Sequence, residues 1–157
     1  MTSKHTPRLA QAAAPHLRPG EIVEIGAFTT VGSVSAKRQF LTAAVVGVAT
    51  AGLVVATVRP AKRYLGVTNQ RLLFFNGEAS FGRPGKLLFS LPREAVAVVK
   101  SGRRMLAYQI ELTIAGQEKG LLINFPMTTR ATMEEIAASL PAAANAGTPR
   151  REARQVQ

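Results

Sequence analysis

From Phe40 to Val58 the chain reads FLTAAVVGVATAGLVVATV, without one charged residue. Such a run has to leave water, either into lipid or into protein. As a helix it would span ~28 Å, close to the hydrocarbon thickness of a bilayer. Its Phe, Leu and Val residues favour insertion by about 3–5 kcal/mol on a translocon scale. Lys37 and Arg38 precede the run, and Arg59, Lys62 and Arg63 follow it, where long basic side chains reach headgroups. Because both flanks are basic, they set no orientation. Three arrangements fit: a spanning helix, a re-entrant helical hairpin broken near Ala49 to Gly52, or a Val-rich β-hairpin turning at Ala51-Gly52 that never meets lipid.

Outside this run the hydrophobic period is two. Ile22, Val23, Ile25 and Phe28 mark a short strand, followed by a small-residue loop over 32–36. Strands over 64–67 and 71–75 flank the polar turn Thr68-Asn69-Gln70. Asn76-Gly77 is a turn signal, and Gly82, Pro84 and Gly85 mark the next loop. Strands over 86–91 and 95–100 are separated at Pro92, and Ser101-Gly102 reads as a turn. Leu106, Tyr108, Ile110, Leu112 and Ile114 then alternate with small or polar residues, as do Leu121, Ile123 and Phe125 after Gly116. Met133, Ile136, Ala137 and Leu140 have the spacing of an amphipathic helix. Thr132 with Glu135 fits a capping box, or Thr129 caps a longer helix. The pattern predicts a mainly β fold: a small antiparallel barrel or sandwich of seven strands, capped by a C-terminal α-helix and carrying the apolar insert. Residues 1–19 read as a flexible tail with a short helix near 8–14 and no apolar secretory segment. Residues 20–140 form the domain, interrupted by 40–58, and 141–157 read as a disordered tail.

The residues available for chemistry are few. The 157-residue chain has no Cys and no Asp, and its two histidines, His5 and His16, lie in the expected tail. No catalytic group, metal-ligand set, cofactor or small-molecule substrate is predicted. Residues 82–86 lack phosphate-loop spacing and lead into a strand. Glu134 and Glu135 are adjacent on a helix and do not converge. The net charge of +11 suits anionic partners, but the excess is spread along the chain and forms no polybasic block. Aromatics are 6% with no Trp, which supplies a base-stacking platform poorly. Lys100, Arg103 and Arg104 bracket Ser101-Gly102, where turn amides and three cations would hold a phosphate or lipid headgroup. These three, with Lys37, Arg38, Arg59, Lys62 and Arg63, are the lipid- or anion-contact candidates. Arg71 is expected to tie a loop or strand end.

Gly20-Glu21-x-Val23, followed by YLGVTNQRLLFF from Tyr64 to Phe75, resembles the bacterial pleckstrin-homology (PH)-like domain family. Leu91-Pro92-x-x-x-Val96-x-Val98, the hairpin over 116–125 and the helix over 131–140 extend the resemblance. It implies a seven-stranded barrel capped by a helix and a non-catalytic binding or assembly role. It does not imply phosphoinositide binding. The apolar run departs from the pattern, since most members have a short connection there. A single membrane span at that point would part the first strand from its later partners. The sequence therefore predicts an interaction module on the cytoplasmic face of the cell membrane, held by 40–58 and its basic flanks. Such a module would bind lipid or a protein partner; two alternatives are a soluble, cytoplasmic nucleic-acid-binding barrel and a self-assembling structural protein whose insert packs between copies as a homo-oligomer interface.

Overall fold

A computed structural model describes residues 3–35, 60–77, 83–117 and 119–143. The apolar run 40–58 and three of the predicted contact residues, Lys37, Arg38 and Arg59, lie outside them. The elements are α1 (Thr6–Ala13), β1 (Val23–Ser35), β2 (Ala61–Thr68), β3 (Arg71–Asn76), β4 (Leu87–Pro92), β5 (Val96–Arg104), β6 (Ala107–Ile114), β7 (Lys119–Pro126) and α2 (Arg130–Ser139). The strands form one antiparallel sheet in the order β4-β3-β2-β1-β7-β6-β5. The fold is thus mainly β with a C-terminal helix, as the sequence predicts.

β1 joins the two halves of this sheet. From Val23 to Val31 it pairs with β2, and from Thr30 to Ser35 it pairs with β7. The expected loop over 32–36 is therefore strand as far as Ser35. Gly32 and Ser33 carry little strand propensity of their own, and the β7 ladder supplies the order. The halves share one core. Ile25, Leu65, Leu72, Phe74 and Leu91 from one side meet Ile110, Leu112, Leu121, Ile123 and Phe125 from the other, with Met133 and Ile136 of α2.

The N-terminal stretch, expected as a tail, is part of the fold. α1 lies on the outer face of β1 and β2, where Leu9 and Ala13 pack with Tyr64, Leu73 and Phe75 in a second cluster. This explains why Leu72 to Phe75 is apolar without alternation. Leu72 and Phe74 point into the main core, while Leu73 and Phe75 point under α1. Strands covered on both faces read as continuous apolar runs. Gly26 makes the close approach possible. A Cβ there would sit 2.7 Å from Leu9 Cδ1 and 2.9 Å from Thr6 Cα. The Gly26 N–H donates to Thr6 Oγ1 at 3.0 Å.

Three local expectations are corrected. Ser101 and Gly102 are not a turn but lie within β5, paired with Ile110 and Gln109. The hairpin turns at Met105-Leu106, closed by the Arg104–Ala107 pair. The Thr132–Glu135 capping box does not form, because the helix begins earlier, with Thr129 as its N-cap residue. The Thr129 hydroxyl donates to the Pro126 carbonyl at 2.8 Å instead of to the helix. Finally, residues 141–143 are bound to the β5 edge: the Val98 N–H donates to the Pro141 carbonyl at 2.7 Å and the Ala143 N–H to the Val98 carbonyl at 2.8 Å. The rest of that expected tail, 144–157, lies outside the described residues.

If α1 is structural, Leu9→Ala lowers the unfolding free energy by about 2–4 kcal/mol, the usual cost of emptying a fully buried leucine site. Gly26→Val is expected to cost about 1–3 kcal/mol through overpacking. Urea denaturation of both variants checks this. A tail would give no change for Leu9→Ala.

Candidate functional site

Two groups of charged residues stand out, and they differ in kind. The first is buried and internally satisfied. Glu21 follows the turn at Gly20, whose φ of 75° suits glycine. Its side chain has 0% exposure and faces Arg71, the first residue of β3. The guanidinium grips the carboxylate with both arms, Nε to Oε2 at 2.9 Å and Nη2 to Oε1 at 3.1 Å. Nη2 also donates to the His16 carbonyl at 2.6 Å, and Nη1 reaches Ser90 Oγ at 3.4 Å. The Thr68 hydroxyl donates to Glu21 Oε2 at 2.7 Å while accepting the Arg71 N–H at 2.9 Å. The Arg18 N–H donates to Glu21 Oε1 at 2.9 Å.

Asn69 completes the lock. Its Oδ1 accepts the Ile22 N–H at 3.0 Å and its Nδ2 donates to the Gly20 carbonyl at 3.0 Å. Every named residue of the Gly-Glu and Thr-Asn-x-Arg motifs therefore belongs to one clasp, and Arg71 ties the turn as expected. Arg93, which no sequence pattern marked, extends the clasp. It donates to Glu24 Oε1 at 3.0 Å, to the Thr68 carbonyl at 2.9 Å, and to the Ser139 carbonyl at the end of α2. Burial alone would raise the Glu21 pKa. The hydrogen bonds from Arg71, Thr68 and the Arg18 amide, with the Arg71 charge, outweigh it and hold the carboxyl at about 2. A carboxylate so fully engaged has no lone pair left for acid–base chemistry.

The second group is exposed and unsatisfied. Lys100, Arg103 and Arg104 lie on β5 and line a shallow depression of about 170 Å³ on the sheet, with Gln109, Glu111 and Leu122. The register places Gly102 opposite Gln109, between Lys100 and Arg104. The missing side chain of Gly102 opens the floor. Lys100 Nζ stands 3.8 Å from Glu111 Oε2, a long contact. Among the described residues neither the Arg103 nor the Arg104 side chain has a hydrogen-bond or ion-pair partner. These three cations lie on a strand, and the turn over Ser101-Gly102 expected to bring them to a phosphate does not exist. Lys62 and Arg63 do not join them. They lie on β2, from which β1, β7 and β6 separate β5. Arg63 Nη1 is turned back on the Lys62 carbonyl at 2.9 Å. Among the described residues no cluster of His, Cys, Asp and Glu could hold a metal ion.

No family model and no curated protein matches the chain. Among solved structures it is similar to the pleckstrin homology domain of Shewanella amazonensis SB2B. The similarity covers 86% of this chain and 96% of that one, at 14% identity and a TM-score of 0.45.

The clasp predicts a pH dependence with a definite sign. The Glu21 pKa falls from 4.5 to about 2 on folding, so its stabilisation is complete above pH 4.5 and is lost as pH falls towards 2. The loss is worth about 3 kcal/mol. Glu21→Gln is expected to cost about 3 kcal/mol at pH 7, because it leaves the Arg71 charge buried without a counter-ion. Arg71→Lys keeps the charge but not the fork, and falls between the two. Urea unfolding between pH 2 and 7 checks both: the Glu21→Gln variant should lack most of the acid-induced loss.

Proposed function

We propose that the chain is a non-catalytic interaction module that attaches to an anionic membrane surface, on the cytoplasmic face of the cell membrane. The observation that carries this reading is the contrast between its two charge clusters. The buried ions are used against one another, whereas Lys100, Arg103 and Arg104 present positive charge around a depression and, among the described residues, have only the long Lys100–Glu111 contact as acidic partner. Each cation near an anionic leaflet contributes about 1 kcal/mol. The apolar run from Phe40 to Val58, with Lys37, Arg38, Arg59, Lys62 and Arg63 around it, supplies the second attachment in this reading. In sequence it lies between β1 and β2, which pair with each other. That pairing favours a re-entrant helical hairpin or a β-hairpin over a single span. Among the described residues, no helix is long and apolar enough to cross a membrane.

Nucleic-acid binding is the weaker reading. Among the described residues every Phe and Tyr is buried or half-buried, which leaves no aromatic platform for bases. The test is flotation of the full-length chain with vesicles of phosphatidylcholine alone or mixed with phosphatidylglycerol. Flotation with the anionic vesicles only, weakened by salt and by deletion of 40–58, is the expected result. A chain that stays at the bottom of the gradient with both would overturn the proposal.

A further inference from the structure

The turn between β5 and β6 is built from residues that folding alone would not select. Two-residue hairpin turns favour Gly, Asn or Asp, because one or both central positions need positive φ. Here the central residues are Met105 and Leu106, and Met105 holds a φ of 52°. For a residue with a Cβ that conformation costs about 1–2 kcal/mol. Among the described residues nothing repays it, since Met105 is 83% and Leu106 85% exposed. They are the two most exposed large apolar side chains among the described residues. They also adjoin in sequence the two arginines without partners. From Lys100 through Ile110 there is no carboxylate, and the first one on β6 is Glu111, beside Lys100. On the α2 side, Arg130 lies 6.0 Å from the Tyr108 ring and carries its own counter-ion, Glu134.

An apolar tip ringed by unpaired cations matches the surface of an anionic bilayer, in which headgroup phosphates overlie acyl chains. We infer that the β5–β6 hairpin is a membrane wedge. Met105 and Leu106 enter the interfacial layer, and Arg103 and Arg104 contact headgroup phosphates just above them. The inference rests on the membrane reading but adds a specific insertion point that is independent of 40–58.

The test uses the full chain and vesicles of phosphatidylcholine mixed with phosphatidylglycerol. The chain has no cysteine, so a single one can be introduced and labelled without background. A polarity-sensitive dye on Leu106→Cys should shift to the blue on vesicle addition and be quenched by lipids brominated in their acyl chains. The same dye on Ile22→Cys, at the end of β1 beside Asn69, should stay in water. The companion variant replaces Met105-Leu106 with Gly-Asn, which puts glycine at the one central position with positive φ. It should fold with an equal or higher Tm while binding anionic vesicles about tenfold more weakly. Charge reversal by Arg103→Glu and Arg104→Glu should weaken binding about fivefold or more at each position. If the chain binds vesicles but the Leu106→Cys dye stays silent, or the Gly-Asn variant binds fully, the wedge is wrong and the membrane reading survives. If the chain binds no anionic vesicle, both fall.

Discussion

The bidentate pair between Glu21 and Arg71 is the interaction on which the rest of this structure leans. It holds together four segments of the chain. Arg71 opens β3, Glu21 precedes β1, the His16 carbonyl ends the α1 segment, and Ser90 belongs to β4. Taking two charges out of water costs several kcal/mol per ion, and their attraction repays that only when the remaining donors and acceptors are filled. Here Thr68, the Arg18 amide and the His16 carbonyl fill them. The pair thus contributes less as raw stability than as a specification. One register of β2 against β3, and one placement of the chain before β1, satisfies every group. Arg93 then carries the same specification to α2.

Much of the architecture was legible because its residues answer to one partner each. Ile110, Leu112 and Ile114 alternate against a single core, and Leu121, Ile123 and Phe125 repeat the pattern opposite them. Met133 and Ile136 mark a helix face for the same reason. Where a segment depends on a distant one, the pattern fails. Leu9 and Ala13 are the only fully buried apolar residues of α1, too little apolar surface to announce a packed helix, and its docking depends on the absence of a side chain at Gly26. The second half of β1 is ordered by β7, not by its own residues. Ser101-Gly102 looked like a turn because glycine near a serine usually is one. The actual turn holds Met and Leu, which no turn rule would choose.

The charged residues divide along the same line. Arg71 could be read from the motif around it, and its structural role followed. Lys100, Arg103 and Arg104 could be found by their proximity in sequence, but they lie on a strand and not a loop, with Lys100 and Arg104 flanking Gly102 on one face. Arg93 and the Met105-Leu106 tip gave no signal. A lone arginine after a proline and two apolar residues in an alternating run both have ordinary explanations, and only the three-dimensional arrangement distinguishes them.

The position of β1 in the sheet has a consequence for how the chain acquires its structure. Thr30 must find Asn124, and Val31 must find Ile123, before the two halves can close on their common core. Loops of that length are costly to close, and non-local pairing of this kind slows folding. During synthesis the first four strands leave the ribosome long before β7, with Leu65, Leu72, Phe74 and Leu91 still lacking their opposite wall. α1, made first, can already cover the other face. The N-terminal helix therefore leaves the nascent half-sheet with one sticky side instead of two while it waits for its complement.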